Sequence, residues 1–220
     1  MTAEEMLWEY GGDILRSPTM DQERTIPQHG STTCYDHSVA VTLCSIRLAQ
    51  KWGWDVDWRS LVRGALLHDY FLYNWREHNR DHKLHGFYHA RKAMENAQRD
   101  FGLNPLEANI IHRHMFPLNP TPPKYKESVV VTCADKICAT RADTMAKLRE
   151  RGFTGPDSAT NFLFVTTSRM PCKQIFERLR QKGVLIRYFS APRLSDYLRI
   201  TIGTPEQMQR FFEELDLILG

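Results

Sequence analysis

Hydrophobic residues recur every three or four positions from the N-terminus to about Gly152, a spacing typical of amphipathic helices. The first helix opens at Thr2, where Glu5 completes a capping box, and another opens at Asn104-Pro105 with Glu107 as its partner. Pro117–Pro123 is too rich in proline to be helical. The pattern therefore predicts an all-α bundle, with further helices over Asp36–Trp52, Trp58–Tyr73, Tyr88–Phe101, Asn104 to about Met115, and Lys126–Arg151.

Beyond Gly152 the pattern changes to short runs of β-branched and aromatic residues. These runs predict three strands, over Asn161–Thr167, Val184–Phe189 and Tyr197–Ile202. A helix is predicted between the first two strands, over Pro171–Lys182, and another after the third, over Thr204–Leu217. The predicted fold class is mainly α, a helical bundle followed by a small β-α-β-β-α unit. We expect a helical metal-binding domain over residues 1–151, a linker over 152–160 and the α+β unit over 161–220.

The composition argues against nucleic-acid-binding and membrane proteins. The chain has 220 residues, 42% of them hydrophobic and 25% charged, as in an ordinary globular protein. A net charge of +3 gives no reason to expect nucleic-acid binding. We expect no membrane association, because no apolar run approaches the length of a span and the acidic start does not resemble a signal peptide. The 5 scattered cysteines suit a reducing cytoplasm, which is the expected location.

All 9 histidines lie between His29 and His114. Six residues on successive predicted helices form an ordered set of imidazoles and carboxylates, the usual ligands of Zn, Fe and Mn: His37, His68, Asp69, His85, His114 and Asp135. Asp69 is the natural bridge, because one carboxylate can bind two ions. Asp135 lies in a buried-looking helix, where an unpartnered carboxylate would be costly, so it favours a cation nearby.

The other histidines have weaker interpretations. His89, four residues after His85, either shares the helix face of the site or supports it from outside the ligand set. His112 is interpreted as a surface or supporting residue. His78 and His82 lie in a polar loop, where solvated side chains are expected, and His29 is a candidate for the rim of the site.

The order His37, His68-Asp69, Asp135 resembles the HD-domain metal-dependent phosphohydrolase superfamily, and the added HGFYHA and IIHRHMFPL segments resemble its two-metal members. The resemblance implies one ion on His37, His68, Asp69 and Asp135, and a second on Asp69, His85 and His114. It implies two divalent ions (Fe, Mn or Zn, with Mg as an alternative) whose bridging hydroxide attacks a small phosphorylated metabolite or nucleotide. The catalytic residues would be Asp69 together with Lys136 and Arg141, which are candidates for holding the phosphate.

Two other functions use the same residues. HD-fold di-iron oxygenases need the same types of ligand and an open coordination position, and a non-catalytic HD module would bind metal or ligand without chemistry. A dependence on O₂ and iron would distinguish the oxygenase from the hydrolase.

The C-terminal third resembles the small domain of histidinol-phosphate aminotransferases in the phrases SATNFLFV, IFERLRQKGVLIRYF and LSDYLRITIGTPEQ. In that family Arg199 would grip a substrate carboxylate, with Arg187 near it. The large cofactor domain and its Schiff-base lysine are missing, so we expect neither pyridoxal phosphate nor transamination. The unit is interpreted as a packing element or a support for a homodimer rather than a sensor of small molecules. Histidinol phosphate, a phosphate monoester, is one candidate substrate.

Overall fold

The computed structural model describes residues 1–28, 32–74, 85–156 and 161–220, with the side chains of residues 85–87 left out of the description. The chain divides into two compact units, Met1–Cys138 and Ala139–Gly220. The described residues are mainly helical, with one small antiparallel sheet in the C-terminal unit, so the predicted fold class is confirmed. No helix in this described part of the chain combines the length and apolar character needed to cross a membrane.

Among the residues that the structure describes, seven α-helices begin in the N-terminal unit, and a 3₁₀ turn at Gln22–Arg24 follows the second: α1 Ala3–Leu15, α2 Pro18–Asp21, α3 Cys34–Trp52, α4 Trp58–Leu67, α5 His85–Phe101, α6 Pro105–Arg113 and α7 Lys126–Glu150. Local signals set several starts. The capping boxes Thr2/Glu5 and Asn104/Glu107 are both formed, each pairing a side chain with the backbone amides that the first turn leaves unbonded.

Helix α4 lies at the centre of the N-terminal unit and packs against α1, α3 and α6. Its buried face includes Leu61, Leu66 and Leu67. Gly64 brings α4 close to α6, because a Cβ at this position would lie 2.6 Å from Ile110 Cδ1. This close approach brings the end of α6 towards the end of α4, where the histidines of interest lie.

The helix predicted over Trp58–Tyr73 ends earlier, at Leu67, and His68 follows it as the C-cap. No glycine or proline marks this end. Instead, the buried Asn96 of α5 donates hydrogen bonds to the carbonyls of Tyr70 and Phe71, at 3.2 and 3.0 Å. A contact between distant parts of the chain therefore fixes the turn that a local pattern would read as a continuing helix.

Beyond the end of α7, the described part of the C-terminal unit forms four strands and two helices: β1 Phe153–Thr154, β2 Phe162–Thr167, α8 Cys172–Gln181, β3 Arg187–Tyr188, β4 Leu198–Thr201 and α9 Pro205–Leu219. The strand order is β1-β2-β4-β3, and every pairing is antiparallel. In β2 and β4 alternate residues are buried, and Leu163 pairs with Ile200 while Val165 pairs with Leu198. These side chains form a core with α8 and α9.

Two local details of the C-terminal unit differ from the predicted elements. The strand predicted over Val184–Phe189 is ordered as β3 only at Arg187–Tyr188. The predicted linker contains β1, because Phe153 and Thr154 pair with Thr167 and Thr166.

The two compact units divide inside α7, and the last turns of this helix contribute Met145 and Leu148 to the C-terminal core.

Candidate metal centre

His68 and Asp69 lie in the turn that follows α4. The Nδ1 atom of His68 donates a hydrogen bond to the Ala65 carbonyl at 2.8 Å, which leaves Nε2 as the nitrogen that faces the other polar groups. Leu72, in the same loop, has a left-handed backbone with φ of 58°, which is uncommon for a residue other than glycine. The Asn96 hydrogen bonds hold this turn and thus the two side chains.

The first group of metal-ligand side chains joins three elements: His37 of α3, His68 and Asp135 of α7. Asp135 Oδ1 lies 3.0 Å from His37 Nε2 and 3.7 Å from His68 Nε2. Both histidines are buried. One oxygen and two nitrogens therefore converge on a volume that a single cation could occupy.

The second group consists of Asp69, His89 of α5 and His114, the C-cap of α6. His89 Nε2 and His114 Nε2 lie 3.0 Å apart, and they lie 3.4 and 3.5 Å from Asp69 Oδ1. The Nδ1 atom of His114 donates to the Ile111 carbonyl at 2.7 Å, just as that of His68 donates to a carbonyl one turn earlier. This backbone contact orients Nε2 of His114 towards the carboxylate.

Asp69 connects the two groups through its two oxygens. Oδ2 lies 3.4 Å from His68 Nε2 and 3.8 Å from His37 Nε2. Oδ1 lies near His89 and His114, as given above. This division of one carboxylate between two sets of imidazoles is the arrangement that a bridging carboxylate adopts between two ions.

The buried polar atoms of this region fit a cation. Asp69 Oδ1 and His68 Nε2 are fully buried and have no hydrogen-bond partner within the described parts of the chain. Buried polar atoms without partners are costly, and their occurrence in a native protein calls for an explanation. Coordination of a divalent cation would use both atoms, together with the other ring nitrogens that face the same space.

The electrostatics also suit a cation. Burial opposes ionisation of Asp135, but the hydrogen bond with His37 and the nearby charge of His68 hold the pKa of its carboxyl far below the usual value. Burial likewise opposes ionisation of Asp69, yet the charge of His68 brings its pKa well below the usual range. Burial disfavours the charged form of His68, but these two carboxylates raise its pKa well above the ordinary value. The surroundings of His68 thus favour a positive charge between the two carboxylates.

His114 is held neutral. Burial lowers the pKa of its imidazole to about 3, despite the nearby negative charge of Asp69. A histidine must be neutral to bind a metal. His114 is therefore ready for coordination throughout the neutral pH range.

Gln28 is a further member of the centre that sequence reasoning did not single out. Its side-chain amide donates a hydrogen bond to Asp69 Oδ2, and its Oε1 lies 3.5 Å from Cys34 Sγ. The residue is buried and lies in the segment that joins the 3₁₀ turn to α3. The only sequence signal was its position beside His29 in the Gln28-His29-Gly30 segment.

Of the six predicted ligands, the structure groups His37, His68, Asp69, His114 and Asp135, and adds His89. His89 was interpreted as either sharing or supporting the site, and it faces Asp69 directly. The predicted ligand His85 begins α5, but its side chain lies outside the described residues. His29, His78 and His82 also lie outside them.

The two predicted phosphate-binding cations are not equally placed. Lys136 is exposed, and its ammonium donates a hydrogen bond to the Phe116 carbonyl. Arg141 belongs to the C-terminal unit, Ala139–Gly220, and is partly buried. The assignment of both to phosphate binding stays a prediction.

Comparison with known proteins supports this description. Residues 34–140, from the start of α3 into α7, match the family model of the HD domain, which confirms the resemblance of the helical region. The match covers His37, His68-Asp69, His89, His114 and Asp135, the residues that the structure groups.

The C-terminal region matches a different family. Residues 122–215 match the family model described as aminotransferase class I and II. Relatives named histidinol-phosphate aminotransferase include those of Brachyspira hyodysenteriae, 38% identical over 39% of this chain and 24% of the relative; Clostridium botulinum strain Okra, 38% identical over 40% and 25%; and Marinomonas sp., 42% identical over 37% and 24%. The chain spans about a quarter of the length of these relatives.

Proposed function

We propose that the N-terminal unit is a metal-dependent phosphohydrolase with a dinuclear centre. The observation that carries this proposal is the position of Asp69, whose two oxygens face two separate sets of imidazole nitrogens. The HD-domain match over residues 34–140 supports it, because that domain is typically a metal-dependent hydrolase.

In this proposal His37, His68 and Asp135 hold one ion with Asp69 Oδ2, while His89 and His114 hold a second with Asp69 Oδ1. Four imidazoles and two carboxylates suit Fe, Mn or Zn better than Mg, which prefers oxygen ligands and bound water. His85 has no place assigned in this set.

Bound divalent cations would lower the pKa of water and neutralise charge on a phosphoryl group, which is the chemistry of metal-assisted hydrolysis. The protein's contribution is to hold the ligands still. The Ala65 and Ile111 carbonyls fix the tautomers of His68 and His114, and the Asn96 hydrogen bonds fix the loop after Asp69. Burial of these side chains excludes bulk water from the centre.

Lys136 and Arg141 remain the proposed partners of the substrate phosphate. To reach a phosphate, the ammonium of Lys136 would have to exchange its hydrogen bond to the Phe116 carbonyl for one to a phosphate oxygen. A phosphate oxygen carries negative charge, whereas a backbone carbonyl does not, so the attraction between opposite charges would favour the exchange.

The substrate class is a small phosphorylated metabolite or nucleotide. Histidinol phosphate is a specific candidate, since the C-terminal relatives carry that compound in their name. Pyridoxal phosphate has no role in this proposal, because the chain matches only about a quarter of those relatives. The C-terminal unit is proposed to support a homodimer, which light scattering of the purified chain would test.

The first experiment is elemental analysis of chain purified without chelator, followed by assays of phosphate release and O₂ uptake. We expect two ions per chain, phosphate release with Mn²⁺ or Co²⁺, and no consumption of O₂. Iron-dependent O₂ uptake without phosphate release would replace the hydrolase with an oxygenase. Absence of metal after reconstitution would contradict both.

A further inference from the structure

Glu23 is a buried acid whose carboxyl group has no hydrogen-bond partner among the residues that the structure describes. It lies in the 3₁₀ turn Gln22–Arg24, has no solvent exposure, and neither carboxyl oxygen has a hydrogen-bond partner in the described part of the chain. Two other buried acids of the same unit are paired: Glu107 lies 3.0 Å from Arg63 Nε, and Glu127 accepts a hydrogen bond from the Asp57 amide at 2.9 Å. Burial of a carboxyl group without a partner costs folding free energy, so the presence of Glu23 at this position calls for an explanation.

The turn that carries Glu23 offers it no counterion. Arg24, the adjacent residue, has its Nε 3.0 Å from Asp21 Oδ1 and its guanidinium carbon 3.4 Å from the centre of the Tyr35 ring. The charged groups that act on Glu23 are instead Asp69 and His68. Burial raises the pKa of Tyr70, the residue after Asp69, to about 12, and the charge of Glu23 contributes in the same direction.

The chain itself links Glu23 to the centre. From the 3₁₀ turn it passes through the buried Ile26 to Gln28, whose amide donates to Asp69 Oδ2. Burial, and secondarily the negative charge of Asp69, raise the pKa of Glu23 well above the ordinary value. Without metal, full burial and the lack of a hydrogen-bond partner among the described residues therefore favour the protonated form of Glu23.

The balance of charge changes when cations bind. Two divalent ions bring four positive charges, and the ligand carboxylates Asp69 and Asp135 supply two negative ones. Uncompensated charge in a buried site is strongly unfavourable. Among the described residues, Glu23 is the acid that is fully buried, unpartnered and electrostatically coupled to these ligands.

We propose that Glu23 is a positioning residue of the metal centre, whose carboxylate supplies a third buried negative charge when divalent cations are bound and takes up a proton when they leave. This inference rests on the proposed dinuclear function. Metal loading thereby becomes coupled to release of a proton from a side chain that is not itself a ligand.

The test is calorimetric titration of the metal-free full chain with Mn²⁺ at neutral pH, in two buffers of different protonation enthalpy. Glu23→Gln keeps the shape of the side chain but cannot ionise. We expect it to weaken Mn²⁺ binding about 10- to 100-fold, the range found for residues that support metal ligands. It should also release one proton fewer than the wild type on loading.

Two further variants sharpen the result. Glu23→Asp keeps an ionisable group and should restore most of the affinity and the released proton. Asp21→Asn removes an acid next to the same turn, but an exposed one, and should bind like the wild type. Mn²⁺ affinity and proton release unchanged in Glu23→Gln would overturn the inference and leave the proposed function standing. A wild type that binds no Mn²⁺ would overturn both.

A second readout needs no variant. Infrared difference spectra of the wild type, recorded before and after addition of Mn²⁺, should show loss of a protonated carboxylic acid and gain of a carboxylate. Because only the wild type is measured, these spectra test the inference even if Glu23→Gln fails to fold. Spectra without loss of a protonated carboxyl would overturn the inference.

Discussion

The two units of the chain bury different types of side chain. In Met1–Cys138, ionisable side chains lie inside: His68, Asp69 and Glu23 are essentially without solvent exposure. In Ala139–Gly220, the buried side chains of the described residues are hydrophobic except for that of Thr144. A polar interior costs stability and is retained where it serves a purpose, whereas an apolar interior serves the fold alone. The comparison therefore supports placing the proposed chemistry in the first unit.

The largest effect is expected from loss of the shared carboxylate. Asp69→Ala removes the side chain that faces both groups of histidines, so both ions should be lost together. Activity should fall by more than about 100-fold, the upper limit for residues that only support ligands. Metal content and phosphate release measure this, with the exposed Asp21→Ala as the control. Retention of both ions by Asp69→Ala would refute the bridging role.

A core substitution in the second unit should act on stability alone. Leu215 is fully buried in the C-terminal core, and Leu215→Ala should cost about 2–5 kcal/mol of unfolding free energy. Leu217, two residues further along α9, is 74% exposed and provides the matched control. Denaturant unfolding gives the free energies. Metal content per folded chain should not change, and a loss of metal in Leu215→Ala would break the division of roles.

A third prediction concerns which histidine of α5 serves the centre. His89 faces Asp69 Oδ1 and His114, so His89→Gln should weaken binding of one of the two ions by about 10- to 100-fold or more and leave the other in place. His85→Gln is the comparison, since His85 is the ligand that the sequence predicts. If metal titration shows weaker binding in His85→Gln and unchanged binding in His89→Gln, His85 is the ligand, as the sequence predicts.

That ambiguity shows how far sequence reasoning reaches. His85 and His89 are one helical turn apart, and their spacing alone cannot say which of them points at the partner carboxylate. By contrast, the capping boxes at Thr2 and Asn104 are local signals, and the helices begin where those signals predict.

Features that depend on distant contacts were not predictable. The end of α4 at Leu67 is fixed by Asn96, which lies on another helix, and nothing in the local pattern indicates it. The strand β1 exists because Phe153 pairs with Thr167 across the predicted linker. Similarly, the role of Gln28 beside Asp69 follows from folding and not from a motif.

The last prediction compares one acid from each unit by its dependence on pH. The pKa of Glu23 is raised in the folded chain, so the unfolded chain loses this proton first as the pH rises. The metal-free wild type should therefore lose stability relative to Glu23→Gln, by up to about 1.4 kcal/mol per pH unit, above the ordinary pKa of a glutamate. Below that pKa the two should respond alike.

Asp216 should show the opposite sign and a smaller effect. The guanidinium of Arg151 contacts both of its oxygens, at 2.6 and 2.7 Å, and lowers the pKa of its carboxyl. The resulting stability is present above the ordinary pKa of an aspartate and is lost as the pH falls through the lowered value. Because the pair is exposed to solvent, Asp216→Asn should cost less than about 1 kcal/mol near neutral pH. Urea unfolding of the wild type and of each variant across the pH range measures both effects. The two differences in unfolding free energy should change in opposite directions as the pH rises. A change in the same direction for both would contradict the contrast between a buried and a surface carboxylate.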